Sequence, residues 1–219
     1  MTYLELVNKV LLRLRESTVS TVQGTGNSNT YARLIGEFVN EAKSQVEAAW
    51  DWSALRNTLT ATTADGVFNY ELQGSRNNFK VLDVINDTTD IFMEYKDSRW
   101  FNEQFLLTNA QRGAPYYYNF NGVSADGDTL VDIYPVPDGV YTLRFNVTKR
   151  NLPLTGDSDS TVLPTRPIIL LATAMAIEER GEDGGQQSMN AYAAAQSALS
   201  DEIALDAARH PEDTIWYTV

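Results

Sequence analysis

The chain has no cysteine and a single histidine, His210. Without cysteine there is neither a disulfide framework nor thiolate chemistry. The protein must be held together by packing or by assembly. One histidine, followed directly by Pro211, argues against Ser-His-Asp and Cys-His arrangements. A zinc site would need carboxylates almost alone. The phosphate-cradling patterns GxxxxGK[ST] and GxGxxG are absent. No apolar run approaches the length of a membrane span. Positive charge is also scarce: 17 Lys and Arg stand against 29 Asp and Glu, a net charge of −12. These absences point away from an enzyme, and no cofactor or metal is expected.

The acidic excess is uneven. Residues 155–219 hold 11 acids and only Arg166, Arg180 and Arg209. Gripping duplex DNA through its phosphates needs clustered Lys and Arg. The C-terminal third has the opposite field and should repel nucleic acid. Its acids are Glu178, Glu179, Glu182, Asp183, Asp201, Glu202 and Asp206, with others in the flanking loop and tail. They suit either an ordinary solvated face or a lumen through which DNA slides without sticking.

The 219 residues are 43% hydrophobic, enough for one sizeable core or two small ones. Three stretches of different periodicity follow one another. Residues 1–56 are helical. Thr2 is placed to cap a helix with the stripe Leu4, Val7, Leu11 and Leu14, Val10 lying beside it. This opening carries Glu5, Lys9, Arg13 and Arg15, so it reads as an amphipathic helix and not a secretion signal. A polar loop follows, then a second helix capped by Asn27 or Ser28. Its stripe is Tyr31, Ile35, Phe38, Ala42, Val46 and Ala49, closing at Trp50 and Trp52.

Residues 57–150 read as strands. Asp65-Gly66 signals a hairpin, and Asn86-Asp87 and Asn121-Gly122 signal turns. A short helical spacing interrupts them at Trp100, Phe101, Phe105 and Leu106. The turn spacing predicts a small antiparallel sandwich or open barrel. Residues 151–207 are helical again. Pro167 suits the first turn of an apolar helix over 168–177, and Gly181 suits its end. A last, Ala-rich helix follows, with Met189, Tyr192, Leu199 and Ile203 on its buried side. Ala193, Ala194 and Ala198 would allow close approach of a neighbouring subunit.

The predicted fold is therefore α+β. N- and C-terminal helices form an antiparallel bundle, and a long antiparallel β domain is inserted between them. Residues 208–219 form an extended C-terminal arm ending in Ile215, Trp216, Tyr217 and Val219. Aromatic side chains on a terminus call for a partner. Two readings are open: docking into another subunit, or folding back onto the arm's own domain.

Other clusters have modest readings. Asp126-Gly127-Asp128 and Asp157-Ser158-Asp159 have alternating oxygens of the kind that bind Ca²⁺, but neither continues into an EF-hand loop, so polar turns are expected. Tyr116, Tyr117 and Tyr118 with Phe120 are either a stacking platform for sugar or base, or a strand with one face in the core and Tyr117 at a subunit contact.

The ordered set of segments resembles the head-to-tail adaptor proteins of short-tailed bacteriophages. It comprises residues 1–16 (MTYLELVNKVLLRLRE), 31–60 (YARLIGEFVNEAKSQVEAAWDWSALRNTLT), the turn at residues 113–116, residues 130–138 (LVDIYPVPD) and residues 174–183 (AMAIEERGED). The resemblance covers essentially the whole chain. It implies a structural virion protein at the portal vertex, between head and tail, assembled in the host cytoplasm. It implies a dodecameric ring of this chain under the portal protein, extending the channel for double-stranded DNA without binding it specifically. It also implies contact with tail nozzle or fibre proteins, and no membrane. Ile215, Trp216, Tyr217 and Val219 become the portal-binding residues on this reading. The competing expectations are a tail-associated carbohydrate-binding module or hydrolase built on the strands, and another neck or tail component such as a stopper or tail-tube protein.

Overall fold

The computed structural model describes residues 1–24, 27–76, 79–107, 109–181 and 185–209. The chain is α+β and divides into two units. One is residues 1–55 with 151 onward; the other is residues 56–150.

The first unit is built from four long helices. α1 (Tyr3–Arg13) starts where Thr2 places it. The Thr2 hydroxyl accepts from the Glu5 N–H, and the Glu5 carboxylate accepts from the Thr2 N–H. Two of the orphan donors at the helix start are thereby satisfied reciprocally. α2 (Asn27–Ala49), α4 (Thr165–Arg180) and α5 (Gln186–Ala207) complete the set. α4 packs on α1, α2 and α5. It is the most buried helix, with Ile168, Leu171, Ala172 and Ala176 in a core shared with Leu6, Val10, Ile35, Val46 and Trp52. Pro167 lies in its first turn, and Gly181 ends it at φ 62°. That left-handed conformation carries no Cβ penalty in glycine. The capping role expected of Asn27 or Ser28 involves residues whose side chains lie outside those described.

The predicted stripes are buried in part, with some members replaced by neighbours. In α1 the buried residues are Tyr3, Leu6, Val7, Val10 and Leu11, while Leu4 and Leu14 are only partly covered. In α2, Ile35, Ala42 and Val46 of the predicted stripe are buried, joined by Ala32, Val39, Lys43 and Glu47, while Ala49 is exposed. In α5, Met189 is 68% exposed, whereas Ala195 and Ala198 are buried. α5 packs on α4 with Ala195 and Ala198 buried, and leaves Met189 in solvent.

The polar loops are held by side chains from the helices. Asn8 exchanges two hydrogen bonds with the backbone of Val19, and Asn40 does the same with Leu154. Each asparagine amide offers one donor and one acceptor, as a strand residue would. Lys43 and Glu47 form an ion pair at 2.8 Å. Lys43 Nζ also donates to the carbonyls of Asn151 and Leu152, and Glu47 accepts from the Asn151 N–H.

The second unit has two four-stranded sheets. Their strands are β1 (Arg56–Thr62), β2 (Asn69–Leu72), β3 (Phe79–Asn86), β4 (Ile91–Phe92), β5 (Glu94–Tyr95), β6 (Tyr117–Val123), β7 (Thr129–Tyr134) and β8 (Thr142–Lys149). The orders are β1-β8-β3-β4 and β2-β7-β6-β5. Inward residues of both sheets, among them Leu59, Val84, Leu143 and Phe145 from one and Leu72, Val131 and Ile133 from the other, form one core. This is a sandwich, with three departures from the predicted pattern. β5 runs parallel to β6, so the second sheet is mixed. Asp65-Gly66 does not close a hairpin: β1 pairs with β8 and β2 with β7, so this turn carries the chain from one sheet to the other. Asn121-Gly122 is a bulge inside β6, with Gly122 at φ 89°, and the reversal comes at Ser124–Asp128. Asn86-Asp87 does begin the β3–β4 turn. The helical interruption is α3 (Ser98–Asn102), capped by Asp97 and continuing as a π-turn over Glu103–Leu107.

Candidate functional site

The aspartate pairs are loop clips. Asp128 accepts from the N–H groups of Gly74 and Arg76, both at 2.8 Å. Those bonds hold its carboxyl below the ordinary range. Asp159 accepts from the N–H groups of Gly156 and Thr155, with the same effect. Asp157 accepts from the Val22 N–H at 3.0 Å. Among the described residues, no three His, Cys, Asp or Glu side chains converge as a metal site would need.

The three tyrosines do not share a face. Tyr118 is in the sandwich core. Tyr117 lies edge-on to Trp100 at 4.7 Å, with the Lys96 ammonium 4.9 Å from its ring centre. Tyr116 leans on Tyr117 and is the most exposed of the three. Tyr117 is thus half-buried within its own unit, which leaves less of it for the subunit contact expected from the sequence. A shallow concavity of about 580 Å³ lies nearby, lined by Phe79, Val81, Tyr95, Tyr118, Phe120 and Val123. No carboxylate is among its described lining residues.

The acidic residues assigned to a channel fall into four groups. Glu179 is exposed. Glu178 is also exposed, and accepts a 2.6 Å hydrogen bond from the Tyr192 hydroxyl. Burial, with that bond and the nearby negative charge, pushes the Tyr192 phenol up to about 12. Asp201 is exposed and lies 3.6 Å from Arg166. Glu202 is half-buried. Glu182 and Asp183 lie outside the described residues.

Asp206 departs from the expectation of a solvated carboxylate: it is 7% exposed. Its Oδ1 accepts from the Ser53 hydroxyl at 2.5 Å. Its Oδ2 accepts from the Ser53 N–H at 3.0 Å and from the Trp50 indole N–H at 3.1 Å. Burial opposes its ionisation, but the bonds from Ser53 and Trp50, with Arg209 nearby, outweigh it and hold the carboxyl below its ordinary value. Trp50 is accordingly turned toward Asp206, while Trp52 enters the core alongside Ile168 and Met175. Nothing local in the sequence signals this, because the partners are more than 150 positions apart.

The alanines divide. Ala193 and Ala194 are exposed on α5. Ala198 is fully buried against its own unit, so it is not available for the subunit contact assigned to it. Close helix packing does use small residues here, but the neighbour is α4 of the same chain.

A concavity of the helical unit lies where the start of α4 meets the end of α5. It encloses about 390 Å³ and is lined by Trp52, Val162, Pro164, Arg166, Leu205 and Arg209, among others. Leu205 is 64% exposed and Val162 57%. Two guanidinium groups beside exposed aliphatic side chains suit a segment that is part acidic and part apolar. The arm residues Ile215, Trp216, Tyr217 and Val219 lie outside the described residues, as does His210.

No helix among the described residues is long and apolar enough to cross a membrane. No curated protein sequence matches the chain. A protein-family model described as SU10 adaptor protein matches residues 1–215.

Proposed function

The chain belongs to the SU10 adaptor protein family, and from that membership we propose that it is a ring-forming head-to-tail adaptor of a bacteriophage virion. It docks on the portal, prolongs the DNA channel and presents a surface to the tail. The observation that carries this is the family match over residues 1–215, which takes in both the helices and the inserted strands.

The chemistry of the surface is in keeping with that role. Among the described residues, no three His, Cys, Asp or Glu side chains are grouped as a metal site would need. Glu178, Glu179 and Asp201 are exposed acids on α4 and α5, suited to a wall along which DNA passes without adhering. Ala193 and Ala194 on α5 form a low surface for a neighbouring copy, in a head-to-tail contact that closes a ring. The ring is a dodecamer, and Ile215, Trp216, Tyr217 and Val219 anchor it in the portal. The protein therefore works in the virion, between head and tail, after assembly in the host cytoplasm.

Mixing the full-length protein with its portal and measuring the mass of the complex by light scattering tests this directly. A ring-on-ring mass that is lost in a Trp216→Ala, Tyr217→Ala double variant supports both the adaptor role and the arm anchor. A mass that survives keeps the adaptor and removes the arm as its anchor. Absence of any complex shifts the reading to another neck or tail component. Glycan binding by the whole protein, centred on the Tyr95–Phe120 concavity, would favour the carbohydrate reading instead.

A further inference from the structure

We propose that the groove between the start of α4 and the end of α5 is a docking site for residues 212–217 of the same chain, which lie there before the protein assembles.

Three observations converge. The first is position. Arg209, the last described residue, lines the groove. Trp216 is seven residues further on, a reach of roughly 23–25 Å if extended.

The second is charge. Arg166 and Arg209 stand at the groove, and the segment opens with Glu212 and Asp213. Arg166 is not committed elsewhere by a strong bond: its pair with Asp201 is 3.6 Å long, with both side chains more than 60% exposed. Such a pair contributes little and exchanges readily. Among the described residues, the acids lining the groove are Glu202 and Asp206, and the Asp206 carboxylate is taken by Ser53 and Trp50.

The third is shape and polarity. Beyond the arginines the groove offers Val162, Pro164 and Leu205, with Trp52 beneath. After Glu212-Asp213-Thr214 the chain offers Ile215 and Trp216. The groove thus offers basic and aliphatic side chains, and the segment carries acidic and apolar ones. Docking covers apolar surface on both sides, which would otherwise invite non-specific association of free subunits. In the adaptor reading the portal then competes with the groove for the same side chains. The arm is released only where the partner is present.

Chymotrypsin cleavage after Trp216 and Tyr217, followed by mass spectrometry on the free full-length protein, tests the inference without any partner. Leu205→Glu, at an exposed site, should speed this cleavage about fivefold or more by freeing the segment. Met189→Glu, on the same helix but outside the groove, should leave the rate unchanged. Val162→Glu provides a second break of the groove should Leu205→Glu fail to fold. Equal rates in the wild type and both groove variants would overturn the proposal. A wild-type rate that slows as protein concentration rises would also overturn it, because the occupant would then be a second copy's arm. Portal binding is measured separately, so loss of the adaptor reading and loss of this one are distinguishable.

Discussion

Lys43 and Glu47, one turn apart on α2, form a 2.8 Å ion pair with each side chain only 3% exposed. The same Lys43 Nζ donates to the carbonyls of Asn151 and Leu152, and the same Glu47 Oε1 accepts from the Asn151 N–H. The pair therefore ties the segment at residues 151–152 to α2 within the helical unit. Removing one partner leaves a charge buried without compensation. Lys43→Ala or Glu47→Ala should each cost about 3–5 kcal/mol. Urea unfolding of the singles and of the Lys43→Met, Glu47→Leu double variant measures this. The double variant should lose less than the sum of the singles, since no charge is stranded.

Asp206 should make stability depend on pH. Its folded-state carboxyl titrates below the unfolded value of 3.8. Its contribution is therefore fully present above the unfolded pKa and is lost as pH falls through the lower folded-state value. Asp206→Asn should remove this component and flatten the acid limb of the stability curve. Asp206→Ala should cost about 2 kcal/mol at neutral pH through the stranded Trp50 and Ser53 donors. Thermal melts across the acid range separate the two effects.

Gly36 is glycine because Tyr3 occupies its side-chain space. A Cβ there would overlap the Tyr3 hydroxyl and come within 3.3 Å of Val22. Tyr3 is buried and cannot swing away. Gly36→Ala gains helix propensity worth about 1 kcal/mol but overpacks the core, a penalty of about 1–3 kcal/mol. The net effect is destabilising. Tyr3→Phe in the same chain should recover part of the loss, because the hydroxyl is the closest atom. A double-mutant cycle by denaturant melts reads the coupling.

Ala194→Arg should leave the fold intact and prevent assembly. The site is exposed, so stability should change by no more than about 0.5 kcal/mol. Ring formation, measured as mass in solution with portal, should be lost if α5 carries the subunit contact. Retention of the full mass would place that contact elsewhere.

The order of helical, strand and helical segments followed from periodicity, because 3.6- and 2-residue repeats are local properties. The Thr2 cap and the Gly181 stop were readable for the same reason, as each acts within one turn. Asp65-Gly66 was read correctly as a turn but wrongly as a hairpin, since pairing partners are chosen by sheet topology. Asn121-Gly122 has turn composition, yet the ladder with β7 continues past it and absorbs Gly122 as a bulge.

Polar residues were the least legible. Asn8, Asn40, Lys43 and Glu47 all look like members of solvated helix faces. Each is instead tied to a loop brought to it by the fold: Val19 for Asn8, and residues 151–154 for the other three. Asp206 looked like part of an acidic surface until Trp50 and Ser53 were placed beside it. Ala198 carried the composition of a subunit contact, but α4 of its own chain took that space.

The sequence by itself determined the α+β class, the absence of cysteine and the acidic excess, because composition and short-range repeats set these directly. Tertiary structure alone decided which polar side chains became internal ties, which strands paired, and which face of α5 remained open. Those outcomes depend on contacts between residues far apart in the chain, and desolvation gives such contacts their strength only once the fold has formed.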